Sequence, residues 1–201
     1  RMSSYDLYIK NGLCAVTHPD QSIRLEKTSI AVKDGKIQAL GLVLDSDGKS
    51  TARETIDAEG LCILPGVIDS QVHFREPGLI HKEDLYSGTL SAICGGVTTV
   101  FEMPNTKPNT STQEKIDEKI KLAETKAKCD FAFFVGATAE NAGELDAIAR
   151  TPGCCGIKIF MGSSTGDLLV ADDISLEKIF RGSRRPIAVH AEDENILNSR
   201  K

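Results

Sequence analysis

The sequence predicts an α/β protein that contains about the first five units of an eight-stranded parallel barrel, preceded by a small β domain. Three observations carry this prediction. Residues 1–64 show short alternating segments, residues 65–201 alternate strand-like and helix-like segments, and five successive predicted strands end in polar side chains. Parallel β/α units close into either a doubly wound sheet or a barrel. Because function collects at the carboxyl ends of barrel strands, the polar strand ends favour the barrel.

Residues 1–64 are predicted to be a β domain because turn residues separate their apolar segments. Asn11-Gly12 and Asp34-Gly35 each follow a short alternating segment, a pattern typical of β-hairpins. A further strand is predicted from Ile37 to Leu44. We therefore expect a hairpin turn at both dipeptides.

Residues 65–201 contain the predicted β/α units. The first strand is predicted to enter the core at Leu64–Ile68. Further strands are predicted at Gly96–Met103, Phe131–Gly136, Cys155–Met161 and Pro186–Ala191. Helices are predicted at Lys82–Cys94, from a capping box at Ser111 and Glu114, at Glu140–Arg150 and at Ser175–Arg181. A whole barrel takes roughly 250 residues, so we expect this sequence to be a piece of a longer protein.

The stretch that leaves the first barrel strand concentrates polar side chains. Alternation with a period of two predicts that four of them share one face, namely Asp69, Gln71, His73 and Arg75. A turn at Pro77-Gly78 follows. An ordinary half-buried strand would also send a polar face to water. A carboxylate, an amide, an imidazole and a guanidinium at a strand exit nevertheless indicate a functional site.

The later strand exits carry Asn105, Thr138, Lys158 and His190. Lys158 lies between two isoleucines, and lysine is almost never fully buried without a partner. Burial lowers the pKa of an amine, and the neutral amine can add carbon dioxide to give an anionic carbamate. The alternative is a lysine that extends to solvent at the barrel rim. A lone histidine such as His190 is more often a packed residue than a metal ligand, but its place beside Lys158 and His73 favours a ligand.

Composition excludes several classes of function. The net charge is −5 without a long basic run, which disfavours nucleic-acid binding. The apolar runs are strand-sized and no signal peptide is visible, so neither a membrane span nor secretion is expected. Six cysteines without a Cys-x-x-Cys pair indicate reduced thiols in a cytoplasmic protein. The loop Gly162–Gly166 lacks a phosphate-binding pattern and is interpreted as a border of the site.

Five motifs together resemble the signatures of dihydroorotase, a cyclic amidohydrolase of pyrimidine biosynthesis whose superfamily includes hydantoinases and allantoinases. They are Pro65–Asp69, Arg75–Gly78, Met103–Thr106, Gly156–Phe160 and Val189–Glu192. The resemblance implies a metal-dependent (β/α)8 TIM-type barrel with a β-sandwich built from both ends of the full-length chain. Residues 1–64 would be the first part of the sandwich, and residues 65–201 the first part of the barrel.

The resemblance also implies a zinc site with one or two ions. His73 matches the second histidine of the family's His-x-His pair, Lys158 its carboxylated bridging lysine, and His190 its fifth-strand ligand. The first histidine of the pair is replaced by Gln71, whose neutral amide oxygen has weak affinity for zinc.

Substrate binding is implied for Arg75 and Asn105, which match the residues that hold the substrate carboxylate. The family's general acid/base aspartate would lie beyond Lys201, so this piece alone is expected to be inactive and to need its C-terminal remainder. The implied reaction is the reversible cyclisation of N-carbamoyl-L-aspartate to L-dihydroorotate, and a homodimer is expected. Two alternatives stay open: an allantoinase or hydantoinase, and a non-catalytic partner of aspartate transcarbamoylase.

Overall fold

The computed structural model describes residues 3–42, 50–162 and 167–200. The chain divides between Pro65 and Gly66 into two compact units. The last two residues of the strand expected to reach Leu44, and residues 163–166 of the loop expected to border the site, lie outside the described residues.

The first unit is a single five-stranded sheet. Its strands are β1 (Ser3–Thr17), β2 (Ile23–Lys33), β3 (Lys36–Leu40), β4 (Ser50–Asp57) and β5 (Cys62–Ile63). The order is β3-β2-β1-β4, with β5 also paired to β1. Strands β1, β2 and β3 pair antiparallel, whereas β4 and β5 run parallel to β1.

One of the two predicted hairpins is confirmed and the other is wrong. Asp34 and Gly35 have φ angles of +51° and +70° and join β2 to β3, as a two-residue turn of the primed type requires. Asn11, with φ of +64°, instead lies inside β1 where the register with β2 shifts. The asparagine therefore accommodates a bulge within a long strand, and the chain reverses later, between His18 and Ser22.

The second unit is a five-stranded parallel sheet. Its strands are β6 (Val67–Val72), β7 (Val97–Glu102), β8 (Asp130–Gly136), β9 (Cys154–Phe160) and β10 (Ile187–His190). Their order in the sheet, β10-β9-β8-β7-β6, follows the chain without reversal. A doubly wound sheet would reverse its order at a switch point. The predicted fold class is confirmed: the unit is a partial (β/α)8 barrel.

Five helices accompany these strands. They are α1 (Leu85–Cys94), α2 (Gln113–Lys126), α3 (Leu145–Ala149), α4 (Asp173–Gly182) and α5 (Glu194–Ser199). None of the helices within the described ranges is long and apolar enough to cross a membrane.

All four predicted helix starts were wrong. Helix α4 begins at Asp173, two residues before the predicted Ser175. The other three predictions were too early, each because a polar side chain bonds the backbone elsewhere. Helix α1 begins after Asp84, whose carboxylate accepts from the Ser87 N–H, and not at Lys82. Helix α2 is capped by Thr112 instead of Ser111. The helix predicted from Glu140 shrinks to α3, because Asn141 ties its segment to the preceding strand by a 2.9 Å bond to the Gly136 carbonyl.

The core of the second unit lies between the sheet and its helices. Alternate residues of β8 and β9 point into this core, and helices α1 to α4 contribute apolar side chains to it. Its fully buried members include Phe133, Val135, Ile157, Ile159, Ile116, Ala123 and Ile179. This packing fixes the strand directions, so the carboxyl ends of all five strands lie along one edge of the sheet.

Candidate functional site

The first barrel strand ends earlier than its sequence pattern suggests. Strand β6 stops at Val72, and its register with β7 shifts after Asp69. His73 and Arg75 therefore lie in the loop that follows, where Arg75 has a left-handed φ of +68°. The prediction that they share a strand face with Gln71 is wrong, because the loop conformation and not the pleat directs their side chains.

His73 and Asn105 are brought into contact from two different strand exits. His73 Nδ1 lies 2.8 Å from Asn105 Oδ1. A carbonyl oxygen can only accept, so Nδ1 carries the hydrogen and Nε2 keeps a free lone pair. The same bond leaves the Asn105 amide nitrogen available as a donor. This single contact leaves the His73 Nε2 lone pair available to a cation and the Asn105 amide nitrogen available to an acceptor group.

The surroundings of His73 favour its neutral form. Burial lowers the pKa of this imidazole, and the positive charges of Arg75, Lys158 and Lys119 lower it further, whereas the bond to Asn105 raises it. Three cations from different segments therefore act on one ring. A neutral imidazole is the form that can bind a metal ion.

These contacts predict how His73 titrates in metal-free protein. We expect its NMR midpoint to lie below the ordinary value of 6.5. In Asn105→Ala the midpoint should fall further, because the imidazolium loses the acceptor that stabilises it. A His73 midpoint above 6.5, or a rise in Asn105→Ala, would contradict this expectation.

Lys158 is buried in β9 with 2% of its surface exposed. Its Nζ lies 5.0 Å from the centroid of the Phe160 ring. Burial lowers the pKa of the amine, and the negative charge of Glu192 partly offsets this effect. Within the described ranges Lys158 forms no salt bridge, and its side chain does not extend to solvent as the alternative interpretation requires. Its chemistry suits carbamate formation.

The other two residues expected at the metal site are more accessible. The His190 side chain is 39% exposed at the end of β10, and its Nε2 lies 2.5 Å from Glu192 Oε2. Gln71 is exposed in β6, and its backbone N–H donates to Asp69 Oδ1 at 3.0 Å. His190 therefore has a carboxylate neighbour, Glu192, that was not predicted from the sequence as a site residue.

The Arg75 guanidinium is not engaged by its neighbour Glu76. That carboxylate accepts from the Leu85 N–H at 2.8 Å and pairs with Lys126. In the part of the chain that the structure describes, the guanidinium forms no hydrogen bond or salt bridge. Arg75 is thus free to bind an anion.

Sequence reasoning missed a buried ion pair next to these residues. Lys119 Nζ of α2 lies 2.6 Å from Glu102 Oε2 of β7, and both side chains are 1% exposed. The sequence did indicate a buried charge here, because Lys119 lies three residues after Ile116 and four before Ala123, on the apolar face of its helix. A charge at such a position is rarely buried without a partner.

A cavity of about 630 Å³ opens beside Asn105. Its lining includes Leu79, Lys107, Thr138 and Leu168, which come from the loops that follow successive strands. The volume is of the size that holds small-molecule ligands. Of the polar residues predicted at the strand exits, Asn105 and Thr138 line this cavity, whereas His73, Arg75, Lys158 and His190 do not.

The described residues fit part of a metal site. They contain no group of three histidine, cysteine, aspartate or glutamate side chains placed to hold an ion. His73 nevertheless offers a free Nε2, and Lys158 offers a buried amine of lowered pKa. An imidazole nitrogen is a common metal ligand, so these residues fit part of a metal site that other residues would complete.

Comparison with known proteins gives consistent matches. A family described as "Dihydro-orotase-like" matches residues 60–158. An allantoinase of Rubrobacter xylanophilus is 36% identical over 203 residues, covering 98% of this chain and 42% of that protein. A dihydroorotase of Methanosarcina acetivorans is 35% identical, covering 95% and 39%. The "Multifunctional protein CAD" of Squalus acanthias is 40% identical over 80% of this chain and 7% of its own length.

Solved structures agree with the fold. The L-hydantoinase of Arthrobacter aurescens superposes with a TM-score of 0.84 at 33% identity, covering 97% of this chain and 42% of its own. A dihydropyrimidinase of Brevibacillus agri gives 0.75 at 25% identity, with 96% and 41% covered. The chain thus spans about two fifths of the length of these relatives, from the allantoinase to the hydantoinase.

Proposed function

This chain belongs to the dihydroorotase-like family of cyclic amidohydrolases, and from this premise we propose that it forms part of the active site of a dihydroorotase. The reaction is the reversible cyclisation of N-carbamoyl-L-aspartate to L-dihydroorotate. The remaining barrel strands come from the C-terminal remainder of the same protein. Residues 1–64 form the first part of a composite β-sandwich, and residues 65–201 the first part of the barrel.

The observation that carries this proposal is that the Arg75 guanidinium forms no hydrogen bond or salt bridge among the described residues, while its charge acts on the same His73 ring that Asn105 contacts. Asn105 Oδ1 lies 2.8 Å from His73 Nδ1, and the Arg75 charge lowers the pKa of that imidazole. An arginine fork matches a carboxylate with two parallel bonds, and the Asn105 amide can add a third. Dihydroorotate carries a carboxylate on its ring, whereas allantoin does not. The arrangement therefore favours dihydroorotate over the other substrates of this superfamily.

The residues have separate tasks in this reaction. Arg75 and Asn105 hold the carboxylate and so fix the ring amide relative to the strand exits. His73, Lys158 and His190 would hold zinc, with Lys158 carboxylated and Gln71 contributing weakly if at all. Bound zinc polarises an amide carbonyl and lowers the pKa of water. The general acid/base aspartate is expected outside these residues.

A panel of substrates tests the assignment. We expect the complete protein, reconstituted with zinc, to hydrolyse dihydroorotate with a higher kcat/KM than allantoin or hydantoin, because only dihydroorotate offers the carboxylate. A preference for allantoin would move the assignment to an allantoinase, which the Rubrobacter relative also supports.

The exposed Gln71 favours a second candidate, a non-catalytic partner of aspartate transcarbamoylase. A glutamine at the position of a ligand histidine weakens the affinity for zinc, and catalysis would be lost together with the metal. Inactivity toward all three substrates with every added divalent metal, together with co-purification with aspartate transcarbamoylase, would support this candidate over the enzyme.

A further inference from the structure

The Glu102–Lys119 pair is the most unusual buried group that the proposed reaction does not use. Burial raises the pKa of Glu102 and lowers the pKa of Lys119, while each charge favours the ionised form of the other. Neither carboxylate oxygen of Glu102 has a hydrogen-bond partner of good geometry among the described residues. Replacing a buried ion pair by apolar residues is often neutral for stability. Stability is therefore a weak explanation for this pair.

Lys119 contacts the loop that carries Asn105. Its Nζ lies 3.3 Å from the Met103 carbonyl oxygen and 3.4 Å from Thr110 Oγ1. The Thr110 N–H in turn donates to the Pro104 carbonyl at 2.9 Å. The ammonium thus joins both ends of the segment 103–110, and Asn105 lies between these two attachments.

Glu102 lies beside the start of the loop that carries Arg75. It pairs with Val72, the last residue of β6, and the N–H of the next residue, Met103, donates to the Val72 carbonyl at 3.0 Å. The Arg75 loop begins directly after Val72. Arg75 has the left-handed φ of +68°, a conformation that a non-glycine residue keeps only when its surroundings hold it. The end of β7 therefore fixes the start of the loop that holds Arg75 in this conformation.

The two loops also meet directly. The Lys107 N–H donates to the Pro77 carbonyl at 3.0 Å. A Cβ added to Gly78, whose φ is +89°, would lie 2.0 Å from the Lys107 carbonyl oxygen. The loops therefore pack at backbone distance, and a shift of one must move the other.

We propose that Glu102 and Lys119 are positioning residues that hold the Arg75 loop and the Asn105 loop at the spacing needed to bind one substrate carboxylate. This inference rests on the proposed function of Arg75 and Asn105. The ion pair acts from the protein interior: Glu102 lies at the end of β7, which is bonded to the start of the Arg75 loop, and Lys119 fixes the Asn105 segment. The contact between the two charges holds these two parts together.

The test removes the pair without leaving a lone buried charge. The double variant Glu102→Leu/Lys119→Met keeps similar volumes, and Lys121→Met makes the same lysine substitution at an exposed position of α2. Two readouts are needed in the complete, zinc-loaded protein: hydrogen exchange of the Lys107 amide, which donates to Pro77 between the two loops, and the steady-state constants for dihydroorotate. The single variant Lys119→Met, which strands a buried carboxylate, reports how far folding itself depends on the pair.

We expect faster exchange of the Lys107 amide and a KM about tenfold higher, with kcat changed by less than about threefold. Weaker binding of the carboxylate affects the bound substrate and the transition state equally, so it raises KM and leaves kcat nearly unchanged. Lys121→Met should change neither. A lower melting temperature with unchanged exchange and KM would overturn the inference and leave a structural pair. Faster exchange with unchanged KM would also overturn it, and Arg75→Lys measured in parallel would then show whether the carboxylate assignment itself has failed.

Discussion

Replacing Lys158 with glutamine is expected to lower kcat/KM for dihydroorotate by roughly a thousandfold, equivalent to a loss of about 4 kcal/mol of transition-state stabilisation. Glutamine has a similar length but cannot add carbon dioxide. Its neutral amide is also a poor ligand for zinc. The variant should therefore lose both the anionic ligand and the zinc that depends on it, which elemental analysis measures beside the kinetics.

The chemistry behind this expectation is the burial of the amine. Because burial lowers the pKa of Lys158, a larger share of the amine is neutral at a given pH than for an exposed lysine. The neutral amine adds carbon dioxide and releases one proton, giving a carbamate. Isotope-labelled bicarbonate should therefore give a carbamate NMR signal in zinc-loaded wild type and none in Lys158→Gln.

The matched control is Lys178→Gln, which changes an exposed lysine of α4. It should retain wild-type activity, zinc content and carbamate signal. An unmodified Lys158 ammonium in zinc-loaded wild type would contradict the assignment of Lys158 as a metal ligand. Activity retained in Lys158→Gln would contradict the same assignment.

Replacing Arg75 with lysine is expected to lower kcat/KM for dihydroorotate by about 10- to 100-fold, or about 1.4 to 2.7 kcal/mol. Lysine keeps the positive charge but loses the planar fork that binds both carboxylate oxygens. The backbone cost at the left-handed φ of +68° is similar for both residues, so the change isolates the head group. Steady-state kinetics at low substrate concentration measure the loss.

Arg150→Lys controls for the substitution itself. Arg150 is an exposed residue that pairs with Asp146 at the end of α3, and such pairs contribute little to stability. Its kcat/KM should stay within about twofold of wild type, as expected for a surface change. If Arg75→Lys behaved like Arg150→Lys, the substrate carboxylate would have to bind elsewhere and the preference for dihydroorotate would lose its basis.

Local sequence patterns were sufficient for most of the barrel. Strands such as Phe131–Gly136 are short apolar runs bounded by turn residues, and their identity as buried parallel strands depends on composition alone. Helix starts were less accurate, because Ser111 and Thr112 are both good caps and only the final path of the loop decides between them. The Asn11-Gly12 bulge was missed for the same reason: the dipeptide allows a turn, but the long pairing of β1 with β2 keeps it in the strand.

The sequence by itself determined which chemical groups stand at the strand exits, because parallel β/α units place every exit at one edge. Only the tertiary structure decided how these groups act. The hydrogen bond of His73 to Asn105, 32 residues away, orients both side chains. The pair of Glu102 with Lys119 joins a strand to a helix across the core. These are contacts between segments distant in sequence, and their distances follow from packing of the whole sheet against its helices, which no local pattern encodes.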